Sequence, residues 1–283
     1  MKFCFILGNP RSGTSLFRLM LNAHPQIVAP PECGFIQWNF SAFGRVDFSS
    51  SKNRVAFAKA VLESKKMETW GLTTDDLINT FDQVVAPNYK RMVKAVFYAY
   101  SKSKGKNKDP KVAIDKNNYY LNFLEDISSA MPNAKYVHLV RDIRDVANSY
   151  LDIEKKNLKG KYAPSLETSA EQIAGKWTKN NERLLTFLDD KPTLVVRYED
   201  LLIRPKQELE RVALFLGLSY DERMRQFYEY NDEPEEMLNW KQKTLQPIDP
   251  SRAGAFRREL DPHFSDQLWN LSHATLEKFG YSK

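Results

Sequence analysis

The sequence predicts an α/β protein in which a central parallel β-sheet carries helices on both faces, giving three layers. Three observations lead there. Short apolar runs of strand length alternate with helical patterns along most of the chain. The first such run passes through a glycine-bearing loop directly into a helix. With 283 residues, 42% of them hydrophobic, and 17 phenylalanines, the chain can fill one large core; α/β folds of this length are commonly one domain, so 1–283 is read as one.

Phe3-Cys4-Phe5-Ile6-Leu7 is apolar, with aromatic and β-branched members, as a buried parallel strand requires. Gly8-Asn9-Pro10-Arg11-Ser12-Gly13-Thr14-Ser15 follows, and from Leu16 apolar residues recur at helical spacing. Strand, glycine loop and helix form a unit whose loop amides and helix N-terminus point at an anion. Against the pattern G-x-x-x-x-G-K-[ST], both glycines and the final hydroxyl match, but Thr14 replaces the lysine that a kinase or NTPase uses on its outer phosphates. The loop is therefore P-loop-like, with Arg11 supplying the charge. The competing reading is a tight turn whose glycines only permit close packing.

Asn22-Ala23-His24-Pro25 ends the first helix, because the residue before proline is pushed out of the α region; His24 is expected to cap or pack there. Gln26–Ala29 is read as a second strand. Pro30-Pro31-Glu32-Cys33-Gly34 then forms a loop at the carboxyl edge of the sheet, where such folds hold ligands, and Glu32 is the candidate general base, against the plainer reading of a solvated glutamate. Residues 35–109 read as a helical insertion covering the site, with helices near Arg54–Lys66, Thr74–Val84 and Tyr89–Tyr100. The lysines at 102, 104, 106, 108 and 111 lack interleaved aromatic residues and read as a solvated turn, not a nucleic-acid patch.

Regular alternation then resumes. Lys111–Asp115 is a strand, Lys116-Asn117-Asn118 its exit loop, and a helix runs through Leu121 and Ile127. Tyr136–Arg141 is the clearest strand in the chain, and Asp142 to Ser149 begins a helix with acidic residues in its first turn. Residues 169–189 form a long helix, Thr193–Tyr198 a further strand, and Pro205–Leu216 a helix closed by Gly217.

The net charge of +6 suits an acidic ligand without choosing among nucleotide, glycan, nucleic acid and membrane surface. Two cysteines cannot build a disulfide framework, so a reducing cytosol is the simpler expectation. No secretory leader pattern and no run of transmembrane length is seen in the sequence.

Arg11-Ser12-Gly13-Thr14-Ser15-Leu16 resembles the 5′-phosphosulfate loop of sulfotransferases, and Arg141-Asp142-Ile143-Arg144 with Ser149 resembles their 3′-phosphate segment. The order Arg11-Ser12-Gly13-Thr14, Ala23-His24-Pro25, Glu32 is similar to the tyrosylprotein sulfotransferases and their bacterial relatives. The likeness continues through Asp115-Lys116, Arg197-Tyr198-Glu199-Asp200-Leu201 and a tail motif, Arg252-Ala253-Gly254-Ala255-Phe256-Arg257, where many relatives carry tryptophan in place of Phe256. It covers most of the chain outside 35–109, the segment expected to choose the acceptor.

The resemblance implies a donor, 3′-phosphoadenosine 5′-phosphosulfate, with adenosine 3′,5′-bisphosphate as product. The sulfuryl group moves in line to an acceptor hydroxyl or amine, on a small molecule, glycan or peptide, and no metal is implied. Arg11 and Lys116 would answer the changing charge on the phosphosulfate oxygens, Lys116 following it to the leaving phosphate. Glu32 would take the acceptor proton, a step typically worth roughly 10²–10⁴-fold. Ser12, Gly13, Thr14, Ser15 and Leu16 would cradle the donor, Arg141 and Ser149 would grip its 3′-phosphate, and Tyr198 and Arg252 would lie near the nucleotide. Two alternatives compete: a P-loop nucleotide kinase, opposed by Thr14, and a non-catalytic nucleotide- or glycan-binding protein, opposed by the joint presence of Glu32 and Lys116.

Overall fold

A computed structural model of the protein describes residues 1–105, 109–157, 161–238 and 241–283. Its centre is a five-stranded, all-parallel sheet in the order β2-β3-β1-β4-β5, made of β1 (Lys2–Leu7), β2 (Ile27–Val28), β3 (Val112–Lys116), β4 (Lys135–Val140) and β5 (Thr193–Arg197). The first strand lies in the middle. The chain leaves it toward β2 and β3 on one side and later returns to build β4 and β5 on the other. The reversal between β1 and β4 opens a crevice at the carboxyl edge of the sheet, the place where open α/β sheets bind ligands. Gly8 permits it: a Cβ there would meet the Leu139 carbonyl oxygen of β4 at 2.4 Å.

Alternation along β1 explains the layers. Phe3, Phe5 and Leu7 face one side, packed with Trp70 of a short 3-10 turn (Met67–Trp70) and with Phe35, Phe57, Phe97 and Tyr100 of the helices that follow β2. Those helices are α2 (Phe35–Phe43), α3 (Ser51–Leu62), α4 (Thr74–Phe81) and α5 (Tyr89–Ser103). Cys4 and Ile6 face the other side, against Phe17 and Met20 of α1 (Thr14–Asn22) and Leu201, Leu209 and Val212. The last three belong to α9 (Tyr198–Ile203) and α10 (Pro205–Leu216), helices that follow α6 (Leu124–Ala130), α7 (Ile143–Lys155) and α8 (Ala170–Leu188) in the chain. A third cluster joins Val140 to α7, α8, α12 (Phe256–Glu259) and α13 (Pro262–Lys278). A short helix, α11 (Glu235–Leu238), lies between α10 and α12.

The segment 35–109 is helical as expected, but its helices form the layer on one face of the sheet, and Lys66 is the residue by which it reaches the cavity described below. Lys102, Lys104 and Lys111 are exposed, whereas Lys106 and Lys108 lie outside the described residues. His24 packs: its ring sits 3.0 Å from the Ser219 carbonyl oxygen and accepts the Gln26 amide. Both cysteines are buried free thiols. No helix among the described residues is long and apolar enough to cross a membrane.

Several boundaries differ from the sequence reading: β2 is only Ile27–Val28, β4 ends at Val140 and not at Arg141, the helix expected near Arg54–Lys66 ends at Leu62, and the helix expected through Leu121 begins at Leu124. Two more follow from pairing. Lys116 is the last residue of β3, not the start of its exit loop, because the ladder with β1 runs on to the pair Ile6–Lys116. Tyr198 opens α9 instead of ending β5, as the β4 ladder stops at Arg197.

Candidate active site

A cavity of about 530 Å³ opens at the carboxyl edge of the sheet. Each wall element arrives there by the same rule, since every strand of a parallel sheet delivers its exit loop to one edge. Arg11, Gly13, Thr14, Ser15 and Leu16 after β1, Glu32 after β2, Lys116 ending β3, Arg141 after β4 with Ser149 on α7, Tyr198 after β5, and Arg252 all line it. Ser12 does not: it is buried behind the wall, and its amide donates to the Asn9 carbonyl oxygen at 3.1 Å.

The loop after β1 is wound tightly. Arg11 has φ 65°, a left-handed conformation unusual for a side-chain-bearing residue, and Gly13 has φ 87°. A Cβ on Gly13 would fall 2.3 Å from two carbons of the Tyr198 ring, so the ring lies directly on the loop backbone. Gly13 caps α1 with no side-chain hydrogen bond, which leaves the first amides of the helix to an outside acceptor.

Beyond the loop, Arg141 closes the arginine end of the cavity. Its guanidinium stacks 4.5 Å from the Tyr198 ring centroid and its Nη1 donates to the Arg11 carbonyl oxygen at 3.0 Å. Arg141 is itself buried, the Asp145 carboxylate lies 4.0 Å from its Nη2, and its Nε has no hydrogen-bond partner. Arg11 Nε donates to Ser149 Oγ at 3.2 Å. Burial, and then the neighbouring Arg141 and Arg252 cations, push the Arg11 guanidinium down to about 10, despite the opposing pull of Tyr198 and Tyr150. Asp145 fixes the tail motif, accepting the Gly254 and Phe256 amides at 2.8 Å each, which places Arg252 on the wall. Phe256 faces away from the cavity into the third cluster, with Arg144 stacked 4.1 Å from its ring centroid.

At the opposite end the Glu32 carboxylate is held by two lysines, Oε2 by Lys116 Nζ at 2.6 Å and Oε1 by Lys66 Nζ at 2.7 Å. Burial acts to raise the Glu32 carboxyl, but Lys116, Lys66 and Lys241 together outweigh it and hold the group well below the usual carboxylate range. Lys241 pairs with Glu233 at 2.5 Å, and burial, against the attraction of Glu233, brings it down to about 8. Glu233 also receives Arg18 Nη2 at 2.7 Å, while Arg18 Nη1 bonds Asp232 at 2.8 Å and the Ala29 carbonyl oxygen at 2.7 Å. A buried chain of alternating charges thus runs from α1 to the floor of the site. Lys66, Lys241 and this chain were not indicated by any motif; they arrive through tertiary packing. Among the described residues no group of three or more His, Cys, Asp or Glu side chains is placed to hold a metal ion.

A glycine loop leading into a helix N-terminus, three arginines and a lysine-flanked carboxylate, gathered at one edge of a parallel sheet, form the kind of site that suits group transfer from an anionic donor. The chain belongs to the sulfotransferase family, whose profile matches residues 4–222. It is 27% identical over 231 residues to a putative protein-tyrosine sulfotransferase of Caenorhabditis briggsae (80% of this chain, 69% of that one). It is 29% identical over 231 residues to the nodulation protein NoeE of Sinorhizobium fredii (77% and 50%), and 26% identical over 290 residues to protein-tyrosine sulfotransferase 2 of Gallus gallus (99% and 70%). The chain thus spans half of one of these relatives and about 70% of the other two. Among solved structures, the sulfotransferase domain from the Synechococcus PCC 7002 olefin synthase superposes with a TM-score of 0.63 at 23% identity, covering 100% of this chain and 96% of that one. The sulfotransferase domain from the curacin biosynthetic pathway gives 0.62 at 22% identity, with 99% and 98% covered. Both likenesses establish the fold: a parallel sheet flanked by helices.

Proposed function

We propose that the protein moves a sulfuryl group from 3′-phosphoadenosine 5′-phosphosulfate to an acceptor hydroxyl or amine, with Glu32 as the proton acceptor. The observation that carries this reading is the meeting, in one cavity, of the arginine pocket around Gly13 and the Glu32 carboxylate bridged by Lys116 and Lys66. The residues fit the donor: the first amides of α1 have no side-chain cap at Gly13, and Arg141 holds a buried Nε without a partner. In this reading the loop amides and Arg11 hold the phosphosulfate, while Arg141 and Ser149 hold the 3′-phosphate. When bound, the donor supplies an activated sulfuryl group to the acceptor oxygen or nitrogen. Lys116 neutralises charge on the leaving side, and Glu32, kept ionised by its lysines, accepts the proton that the acceptor loses. Tyr198 packs against both the loop, at Gly13, and the Arg141 guanidinium, and so would help to hold the two anion subsites in place.

Several relatives are named protein-tyrosine sulfotransferases, so tyrosine peptides are the first acceptors to try, with sugars, lipids and simple phenols beside them. A reducing, cytosolic location belongs to the same proposal and rests on the two buried free thiols. The test is a radiolabelled-donor screen of those acceptors with wild type and Glu32→Gln. The variant should bind adenosine 3′,5′-bisphosphate as wild type does and turn over about 10²-fold or more slowly, as loss of a general base predicts. Undiminished turnover would remove Glu32 from the mechanism.

A further inference from the structure

The Lys116–Glu32 pair poses a problem that the cavity itself resolves. Lys116 lines the cavity and holds Glu32, and in the proposed reading it also answers the leaving phosphate, but an ammonium that turns toward a phosphate leaves the carboxylate it was neutralising. A buried carboxylate without a cation takes up a proton and cannot serve as a base.

The two oxygens of Glu32 are held separately, one by each lysine, so losing one partner need not loosen the other. Lys66 comes from a turn that is built for the purpose. Its backbone is left-handed, at φ 72° and ψ 0°, a conformation that costs an L-residue energy and persists only where the surroundings fix it. The surroundings do so. The Lys66 carbonyl oxygen accepts from the Thr69 hydroxyl at 2.7 Å, the Cys33 thiol reaches the Lys65 carbonyl oxygen at 3.4 Å, and Trp70 Nε1 donates to the Pro31 carbonyl oxygen at 2.9 Å. The last two contacts tie the Lys66 turn to the residues on either side of Glu32. The Tyr162 ring lies 5.6 Å from the ammonium.

From this geometry we infer that Lys66 is a positioning residue: it keeps Glu32 ionised and aimed into the cavity when Lys116 is engaged by the donor's phosphate. The inference rests on the reading of Glu32 as the base and of the arginine end as the nucleotide pocket. The other groups facing Glu32 cannot substitute for Lys66. Lys241 acts on Glu32 from a distance but is committed to Glu233. Asp115, the residue before Lys116 on β3, takes a hydrogen bond from Tyr120 at 2.6 Å; burial, and in smaller part the Glu32 charge, push its carboxyl up to about 7. It contributes no positive charge at any pH.

The test needs no acceptor. Protein labelled with ¹³C at the glutamate carboxyl carbon is titrated by NMR in wild type, Lys66→Met and Lys66→Arg, with Glu32→Gln identifying the Glu32 signal, in the presence and absence of adenosine 3′,5′-bisphosphate. In wild type the Glu32 signal should stay that of a carboxylate down to the pH at which the fold is lost. In Lys66→Met the midpoint should rise, and rise further, by at least one pH unit, when the bisphosphate is bound; Lys66→Arg should restore the wild-type behaviour. A Glu32 that remains ionised throughout in bisphosphate-bound Lys66→Met overturns the inference, since Lys116 then suffices. Failure of the bisphosphate to bind wild type is a different outcome and overturns the nucleotide pocket itself. If Lys66→Met does not fold, an unshifted midpoint in folded Lys66→Gln overturns the inference equally.

Discussion

The arginine end of the cavity makes a demand on the ligand that can be measured. Arg141 is buried with its Nε unpaired and its nearest carboxylate 4.0 Å away, and the Ser149 hydroxyl, which accepts from Arg11, has its own proton to give. A 3′-phosphate would answer both. A buried donor left unmatched costs about 1–3 kcal/mol, and a hydrogen bond to a charged group contributes about 1.5–3 kcal/mol. A single hydrogen bond to the charged phosphate, at the low end of about 1.5 kcal/mol, already means that adenosine 3′,5′-bisphosphate binds at least tenfold more tightly than adenosine 5′-monophosphate, tenfold being about 1.4 kcal/mol. Isothermal titration with both nucleotides gives the ratio directly. Arg141→Ala should bring the ratio close to one. It should also weaken the monophosphate somewhat, because Arg141 supports the Arg11 carbonyl in its left-handed turn, so the ratio and not either affinity is the decisive reading. Equal affinities in wild type would refute the 3′-phosphate pocket.

Three further outcomes are expected. Gly13→Ala places a methyl group on the Tyr198 ring at a φ of 87° and should lower nucleotide affinity tenfold or more, read by the same titration, with a smaller loss of melting temperature. Arg18→Met leaves Asp232 and Glu233 without their shared cation; a broken buried pair costs about 3–5 kcal/mol, so the melting temperature should fall by roughly 10 °C. His138 is buried beside Asn181, and burial lowers it to about 4, so the fold favours the neutral ring. That stability is present above pH 6.5 and lost as pH falls from 6.5 to 4, up to about 3 kcal/mol, and urea midpoints for His138→Gln should depend less on pH over that interval.

What could be read from the sequence was local. The loop from Gly8 to Leu16 announces itself because a turn, an anion and a helix start place their residues within nine positions. Glu32 was found for a related reason, because it follows a strand and a parallel sheet sends such positions to one edge, while Lys116, Arg141 and Tyr198 were marked by the family resemblance and lie at the ends of their strands on that same edge. Lys66 and Lys241 obey neither rule. The sequence places Lys66 at the end of a helix that in fact stops at Leu62, and it assigns no element to the segment around Lys241. The two ammonium groups reach Glu32 and Glu233 only once the helical layer and the segment after α11 have packed. Arg18 was hidden differently. On α1 it sits between apolar neighbours in what reads as a helix with an exposed face, yet both faces are covered and its guanidinium is wholly buried. Nothing in a helical repeat announces that its solvent side will be closed by Asp232 and Glu233, more than two hundred residues away.

The distribution of charge around the cavity explains why its two ends can perform different tasks. At the lysine end each cation has a carboxylate within hydrogen-bond distance: Lys66 and Lys116 share Glu32, and Lys241 has Glu233. That end is close to balanced before any ligand arrives, so it can admit a neutral acceptor without leaving a buried charge exposed to apolar surroundings. The arginine end is richer in cations, although Asp152 and Asp249 also line the cavity. Burial first, and then the nearby Arg141 and Arg252 cations, depress Arg11, and Asp145 directs its 2.8 Å hydrogen bonds to the Gly254 and Phe256 amides. An anionic ligand bound there would relieve part of the repulsion among these arginines, and the free energy of that relief would appear as ligand affinity and as added stability of the liganded fold. In the proposed reading the bulk of a polyanionic donor sits at that end, only its leaving phosphate reaches Lys116, and Lys66 keeps the Glu32 carboxylate available for the acceptor.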